Sequence, residues 1–345
     1  MSNLQVCAIF LVRVSLLGLT GALTGLAGIA VGDESDPNRK PDVVKVAAVQ
    51  LIGYDKSDLP REGYDPAVTM LPYIARAASD GAQLVVFPEY VLGRTPVPGS
   101  LTNKIAREAA EHAIYVIAGC WEVFDDQSYA NTALIFDRQG KIMGKYRKTH
   151  AAVDQYDGEP AWTHAPRDKD VDWFIRNDPE WVMQRGTDLP VFEFDFGRVG
   201  ILTCYDGWFP ESFRVLSLNG AELIVWINGR GGVVEDFIMK SVMFQSHVGM
   251  VCTNQAYGGG TMIGDVPAKV LARCPDHEEA YISAEINLAR IRNKRQSSRN
   301  FRQRRPDLYG PLILGAGSIK PTAAGTQLPA LSTFQSTSPS TSVAR

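Results

Sequence analysis

The chain has 345 residues and a formal net charge of −3, with a pI of about 6.0, so no basic excess points to a general nucleic-acid binder. Hydrophobic residues make up 45% and charged residues 21%, which fits a globular protein and excludes a chain disordered over most of its length. Five cysteines are too few for a disulfide scaffold at this length, and no Cys/His spacing suits zinc, so neither a metal nor a cofactor is expected.

In chain order, Arg13 precedes the uncharged stretch Val14 to Val31, rich in Leu, Gly and Ala, and Gly28-Ile29-Ala30 offers small residues at both positions of a cleavage site. Residues 1–30 therefore read as a signal peptide that exports the protein to a periplasm or the medium, with an uncleaved membrane anchor as the alternative. Val43 to Gln50 predicts a buried strand, Pro66 to Ser79 a helix with proline at its start, Leu84 to Phe87 a strand and Thr102 to His112 a helix. Strands follow at Tyr115–Gly119, Asn131–Phe136 and, after the turn Arg138-Gln139-Gly140-Lys141, up to Tyr146. Val191–Phe194 and Val199–Thr203 predict strands around a Phe196-Gly197 turn. A helix (Glu211–Leu218), a strand (Leu223–Trp226), a helix (Asp236–Val248) and a strand (Val251–Thr253) come next. Gly258-Gly259-Gly260 predicts a tight turn, and Val270–Ala272 and Ala280–Ile286 the last strands. Strands that alternate with helices but are interrupted by hairpins predict one α/β domain over residues 41–315 with mixed sheets. His150 to Leu189, with Trp162, Trp173 and Trp181, is long for a connection and predicts a lid or rim. Residues 316–345, mostly Ser, Thr, Ala and Pro, predict a disordered tail.

Three predicted strands each end in one reactive side chain: Leu84-Val85-Val86-Phe87-Pro88-Glu89, Gly144-Lys145-Tyr146-Arg147-Lys148-Thr149-His150 and Gly200-Ile201-Leu202-Thr203-Cys204-Tyr205-Asp206, followed by a helix from Pro210. Each has an ordinary structural reading. A cysteine at a strand end is usually an inert core residue, a glutamate there is usually at the surface, and a basic run such as Lys141, Lys145, Arg147 and Lys148 usually faces solvent. Together they supply a thiol nucleophile, a carboxylate base and a compact cation for an oxyanion. Start-of-helix amides and Lys148 would both stabilise a thiolate at Cys204.

In these three motifs and their order the chain resembles the nitrilase, or carbon–nitrogen hydrolase, superfamily, from about Val43 to Tyr309. The resemblance implies a four-layer αββα sandwich of α/β class that pairs into homodimers or higher homo-oligomers. It implies catalysis by Glu89, Lys148 (rather than Lys145) and Cys204 on a small-molecule amide, without a cofactor. It also implies a second glutamate, for which Glu180, six residues before Gly186, and Glu159 are the rivals. Cys204 is followed by Tyr-Asp, which favours an amide or N-carbamoyl substrate over a nitrile, with acyl transfer and a non-catalytic binding module as further readings. Tyr90, Tyr205, Trp208, Asn228, Arg230 and Asn254 are expected around the substrate, with Arg230 poised for bidentate pairing to a carboxylate. A Cys252–Cys274 bridge is left open for an exported protein, and Cys204 is expected free. The seven arginines of Arg290 to Arg305 suggest an anionic partner on composition, or a structural and subunit-contact segment on resemblance.

Overall fold

Side chains of the first strand, β1 (Val43–Gln50), alternate between two cores: Val44, Val46 and Ala48 join the larger apolar cluster shared with the second sheet, and Ala47 and Val49 join the cluster beneath two helices. The same alternation recurs in β4 (Tyr115–Val123), where Tyr115 and Ile117 point one way and Val116, Ala118 and Cys120 the other, and in β5 (Tyr129–Phe136). A strand buried on both faces reads as a continuous apolar run, which is why these segments are strands without polar alternation. The structure is a computed structural model and describes residues 40–53, 61–126, 128–153, 173 and 179–313.

Among the described residues the first sheet has seven strands, ordered β13-β1-β2-β4-β5-β6 with β3 paired to β4; here β2 is Leu84–Val86, β3 Arg94–Pro96, β6 Ile142–Arg147 and β13 Ala280–Asn287. Six strands form the second sheet, β12-β11-β10-β9-β8-β7, built from β7 (Val191–Glu193), β8 (Arg198–Thr203), β9 (Leu223–Ile227), β10 (Gly249–Thr253), β11 (Met262–Asp265) and β12 (Lys269–Arg273). Strands β1, β2 and β4 run parallel at the centre of one sheet and β8, β9 and β10 at the centre of the other, with antiparallel strands outside except β3, which runs parallel to β4. Helices α1 (Pro66–Ser79) and α2 (Ser100–Glu111) cover the first sheet, and α3 (Pro210–Leu218) and α4 (Asp236–Ser246) the second, giving the four-layer αββα order. Helix α1 begins where the Asp65 carboxylate accepts from the Ala67 and Val68 amides, with Pro66 at its first position. Helix α5 (Leu288–Ser297), the short α6 (Arg299–Arg302) and two 3-10 turns, Pro306–Leu308 and Gly310–Ile313, close the described chain.

The predicted elements lie where they were expected, with additions that include the short α6. Strands β3 and β11 and helix α5 were not anticipated; the first two are four residues or fewer and the third is so rich in Arg that its apolar face reduces to Leu288 and Ile291. Strand β11 also corrects the open disulfide: it lies between β10, which carries Cys252, and β12, which Cys274 follows, and all four described cysteines are free. The expected signal peptide at 1–30, the tail at 316–345, Glu159, Trp162 and most of the expected lid lie outside the described residues. No described helix is long and apolar enough to cross a membrane.

Candidate active site

In an open α/β sheet, the carboxyl ends of parallel strands leave a crevice whose loops present side chains. Here the loops after β2, β8, β9 and β10 meet at that end. The amide of Glu89 donates to the Asn228 carbonyl (3.2 Å), the Thr253 hydroxyl to the Phe87 carbonyl (3.2 Å) and the Gln255 side-chain amide to the Glu89 carbonyl (3.1 Å). The turn carrying Glu89 bends through Tyr90, which has left-handed φ of 41°, and it lies so close to β4 that a Cβ on Gly119 would sit 2.5 Å from the Tyr90 nitrogen. Glycine at 119 is thus what lets the carboxylate reach the crevice.

Glu89 and Lys148 are each 1% exposed. The Lys148 ammonium donates to Glu89 Oε1 at 3.3 Å and to Glu180 Oε1. Burial by itself would lower the lysine, yet the Glu180 and Glu89 carboxylates hold it well above its ordinary value, so the ammonium form is favoured. Lys145 and Arg147 point to the opposite face of β6, where both meet the buried Glu122 (2.5 and 3.4 Å). The basic run therefore splits by strand alternation, and only Lys148 enters the crevice.

Glu180 arrives on a single 3-10 turn, Pro179–Trp181, and its second oxygen accepts from the Ala152 amide at 2.5 Å. The segment behind it closes onto β6 through the Gly186 amide, which donates to the Lys148 carbonyl at 3.0 Å. A Cβ at Gly186 would overlap the Arg147 carbonyl. The glutamate-to-glycine spacing seen in the sequence thus has a steric basis.

Cys204 follows β8 directly, partly exposed, at left-handed φ of 44°, a conformation that costs a non-glycine residue about 1–3 kcal/mol. It opens a 3-10 turn, Cys204–Trp208, and α3 begins only at Pro210. The expected help from the helix start is therefore displaced: the thiol is not in the first turn of an α-helix. Burial pushes the thiol well up, the Glu89 carboxylate adds to this, and Lys148 works against it, so the resting group is a thiol. The elbow is fixed from below, where the Trp226 indole N–H donates to the Cys204 carbonyl (2.8 Å) and Gly207 leaves room for that ring.

Two residues to which the sequence reading gave no role organise the site. Asn131, fully buried on β5, donates from Nδ2 to Glu89 Oε1 at 2.6 Å, while its backbone carbonyl accepts the Lys148 amide at 2.9 Å. A polar residue in the apolar run Tyr129–Phe136 was the signal. Asp206, also fully buried, accepts from the Tyr146 hydroxyl (2.7 Å), the Thr203 amide (3.0 Å), the Thr149 hydroxyl (2.9 Å) and the His150 amide and ring (2.9 and 2.8 Å). It ties the strand end carrying Lys148 to the elbow carrying Cys204. Burial pushes the Asp206 carboxyl up, but the His150 bond, the Lys148 charge and the Tyr146 bond together hold it below the usual carboxylate range.

The expected substrate residues divide. Trp208 is 56% exposed beside Tyr205, whose ring packs edge-on to Phe209. The hydroxyls of Tyr90 and Tyr257 both donate to the Gly229 carbonyl. Asn228 and Asn254 are spent on the scaffold: the Asn228 amide donates to the Trp226 and Thr253 carbonyls, and that of Asn254 to the carbonyls of Arg230, Gly232 and Gly259. Arg230 is occupied too, by Glu235 and the Gly232 and Val233 carbonyls, which leaves no bidentate fork. No group of three or more His, Cys, Asp or Glu among the described residues could hold a metal.

A carbon–nitrogen hydrolase family model matches residues 45–296, most of the chain and all of the crevice. The chain is 27% identical over 241 residues to an N-carbamoylputrescine amidase of Arabidopsis thaliana, covering 63% of this chain and 74% of that protein. It is also 27% identical over 266 residues to the omega-amidase NIT2 of Homo sapiens, covering 69% and 88%. The crystal structure of Saccharomyces cerevisiae Nit3, a member of branch 10 of the nitrilase superfamily, superposes with a TM-score of 0.60 at 19% identity, covering 75% of this chain and 96% of that one, and shares the fold. By the family match, the shared fold and its amidase relatives, this chain is a member of the carbon–nitrogen hydrolase family and a hydrolase of C–N bonds.

Proposed function

We infer that the protein hydrolyses a small linear amide or N-carbamoyl compound through a thioester on Cys204. The observation that carries this reading is a buried Lys148 held between the Glu89 and Glu180 carboxylates beside a cysteine at a left-handed elbow. The names of the Arabidopsis and human relatives, both amidases, point the same way.

In this reading Glu89 takes the thiol proton as Sγ attacks the carbonyl carbon, because a thiol pushed up by burial is not a thiolate before substrate arrives. The carbonyl oxygen becomes an oxyanion facing the Lys148 ammonium and the Tyr205 backbone N–H, donors already in place before charge develops. Collapse breaks the C–N bond, with the proton on Glu89 passing to the leaving nitrogen. Water then attacks the thioester, giving one proton to Glu89, which returns it to sulfur as the acid departs. Glu180 fixes the ammonium throughout. Asn131 orients the Glu89 carboxylate toward this proton path.

The test is ammonia release from primary amides, N-carbamoyl compounds and nitriles by the wild type and by Cys204→Ala. Release from an amide or N-carbamoyl compound by the wild type alone is expected. Turnover of nitriles without turnover of any amide or carbamoyl compound would overturn the substrate assignment.

A further inference from the structure

The arginine-rich run near the C-terminus is not used by the catalytic crevice. Some of it is structural: Arg292 pairs with Glu222 at 2.6 Å, and Arg295 donates to the Ser217 and Ala221 carbonyls at 2.6 and 2.8 Å. Arg304 behaves differently. With Arg214 of α3 it lines a cavity whose other walls are Asn300, Gln303, Tyr309 and Leu312, so both charged residues lining it are cations. Arg214 Nη1 is buried with no hydrogen-bond partner among the described residues. An unpaired buried donor is uncommon in a native protein and costs about as much as a lost hydrogen bond.

The cations around this cavity are crowded. The Phe301 ring has the guanidinium carbons of Arg214 and Arg295 at 5.7 and 5.1 Å from its centre, and the His247 ring stacked at 5.7 Å. Arg304 lies over Tyr309 at 5.7 Å. Burial, and after it the charge of Arg304, lowers the Arg214 guanidinium; burial and then Lys294, Arg214 and Arg295 lower His247. The acids of this region are taken: Asp307 pairs with Arg305 at 2.6 Å and Glu222 with Arg292. Among the described residues no carboxylate pairs with Arg214, Arg295, Arg304 or His247, and such a gathering of like charges around an unpaired N–H suits a site completed by an anion. Planar guanidinium forks match tetrahedral and carboxylate oxyanions, and the amides of Asn300 and Gln303 add neutral donors.

We propose that the cavity between α3 and the segment after α6 is a binding site for a phosphate-sized oxyanion, held by Arg214 and Arg304. The site is separate from the Glu89, Lys148 and Cys204 crevice, and its occupant neutralises the cation cluster that α5 and α6 bring against α3.

Isothermal titration of the full chain with inorganic phosphate tests this, with citrate as a polycarboxylate arm and sodium chloride at matched ionic strength as the blank. Saturable binding of one phosphate per chain is expected. It should weaken at least tenfold in Arg214→Gln and in Arg304→Gln, and hold in Arg273→Gln, whose guanidinium pairs with Asp276 elsewhere. Arg304 is partly exposed, so its variant keeps the test decisive even if Arg214→Gln fails to fold. Phosphate heats no different from chloride, or affinity unchanged in Arg304→Gln, would overturn the proposal. Binding of citrate without phosphate would overturn the phosphate assignment. Sedimentation under the same conditions supplies a further check, since phosphate binding that vanishes when the chain self-associates would mean that a second copy fills the cavity.

Discussion

Replacing Lys148 by methionine removes a charge while nearly keeping the volume, so its effects isolate the ion cluster. The ammonium lies 3.3 Å from Glu89 Oε1. At an effective dielectric of 20 that contact alone is worth about 5 kcal/mol of Coulomb attraction, most of it offset by the desolvation of both ions. The variant suffers a different loss, because two carboxylates stay buried with nothing between them. Removing one partner of a buried pair costs about 3–5 kcal/mol. Urea denaturation at neutral pH should therefore show Lys148→Met destabilised by about 3–5 kcal/mol, and ammonia release should fall at least 100-fold through loss of the oxyanion cation. The pH dependence has a definite sign. A lysine raised above its ordinary 10.5 adds stability that is complete below that pH and disappears as pH climbs through the higher folded value, so the wild-type advantage over Lys148→Met should shrink only in strong alkali. Lys145→Met, one face away and half-exposed against Glu122, should cost about 1 kcal/mol and leave turnover intact. A Lys148→Met protein within 1 kcal/mol of wild type and within tenfold in rate would mean that the ammonium neither neutralises the buried carboxylates nor holds the oxyanion.

Asn131→Ala should lower kcat by about 10–100-fold with little change in KM, since Asn131 orients Glu89; circular dichroism must show the fold retained. Asp206 is held below its ordinary 3.8, so its stabilisation is present above that pH and is lost as pH falls through the lower folded value; acid titrations should show Asp206→Asn less stable than wild type at neutral pH and the gap narrowing below about pH 4. Gly186→Ala drives a methyl into the Arg147 carbonyl, and should cost about 1–3 kcal/mol by thermal unfolding and displace Glu180 enough to slow turnover.

The strand ends carrying Glu89 and Cys204 were legible because an apolar run that stops at one reactive residue is a local pattern, and that of Lys148 through its motif ending in Thr149-His150. The split of the basic run was not legible from composition, but strand alternation settles it: Lys145 and Arg147 share one face of β6 and Lys148 takes the other. Arg230 looked like a free fork because a sequence does not show that Glu235, five residues on, folds back onto it. Asn131 and Asp206 escaped assignment for a related reason. Their function is to join segments 42 to 60 residues apart, and nothing local to either one names its partners. Strands β3 and β11 were missed because three or four residues carry too little periodicity to be read.

Intact-protein mass spectrometry during turnover of a slow amide substrate would detect the thioester on Cys204 itself. The reading predicts that the wild type gains the mass of the acyl group, that peptide mapping places it on Cys204, and that Cys204→Ala gains nothing. Turnover of the amide with no adduct on Cys204, or with an equal rate in Cys204→Ala, would contradict the thioester mechanism.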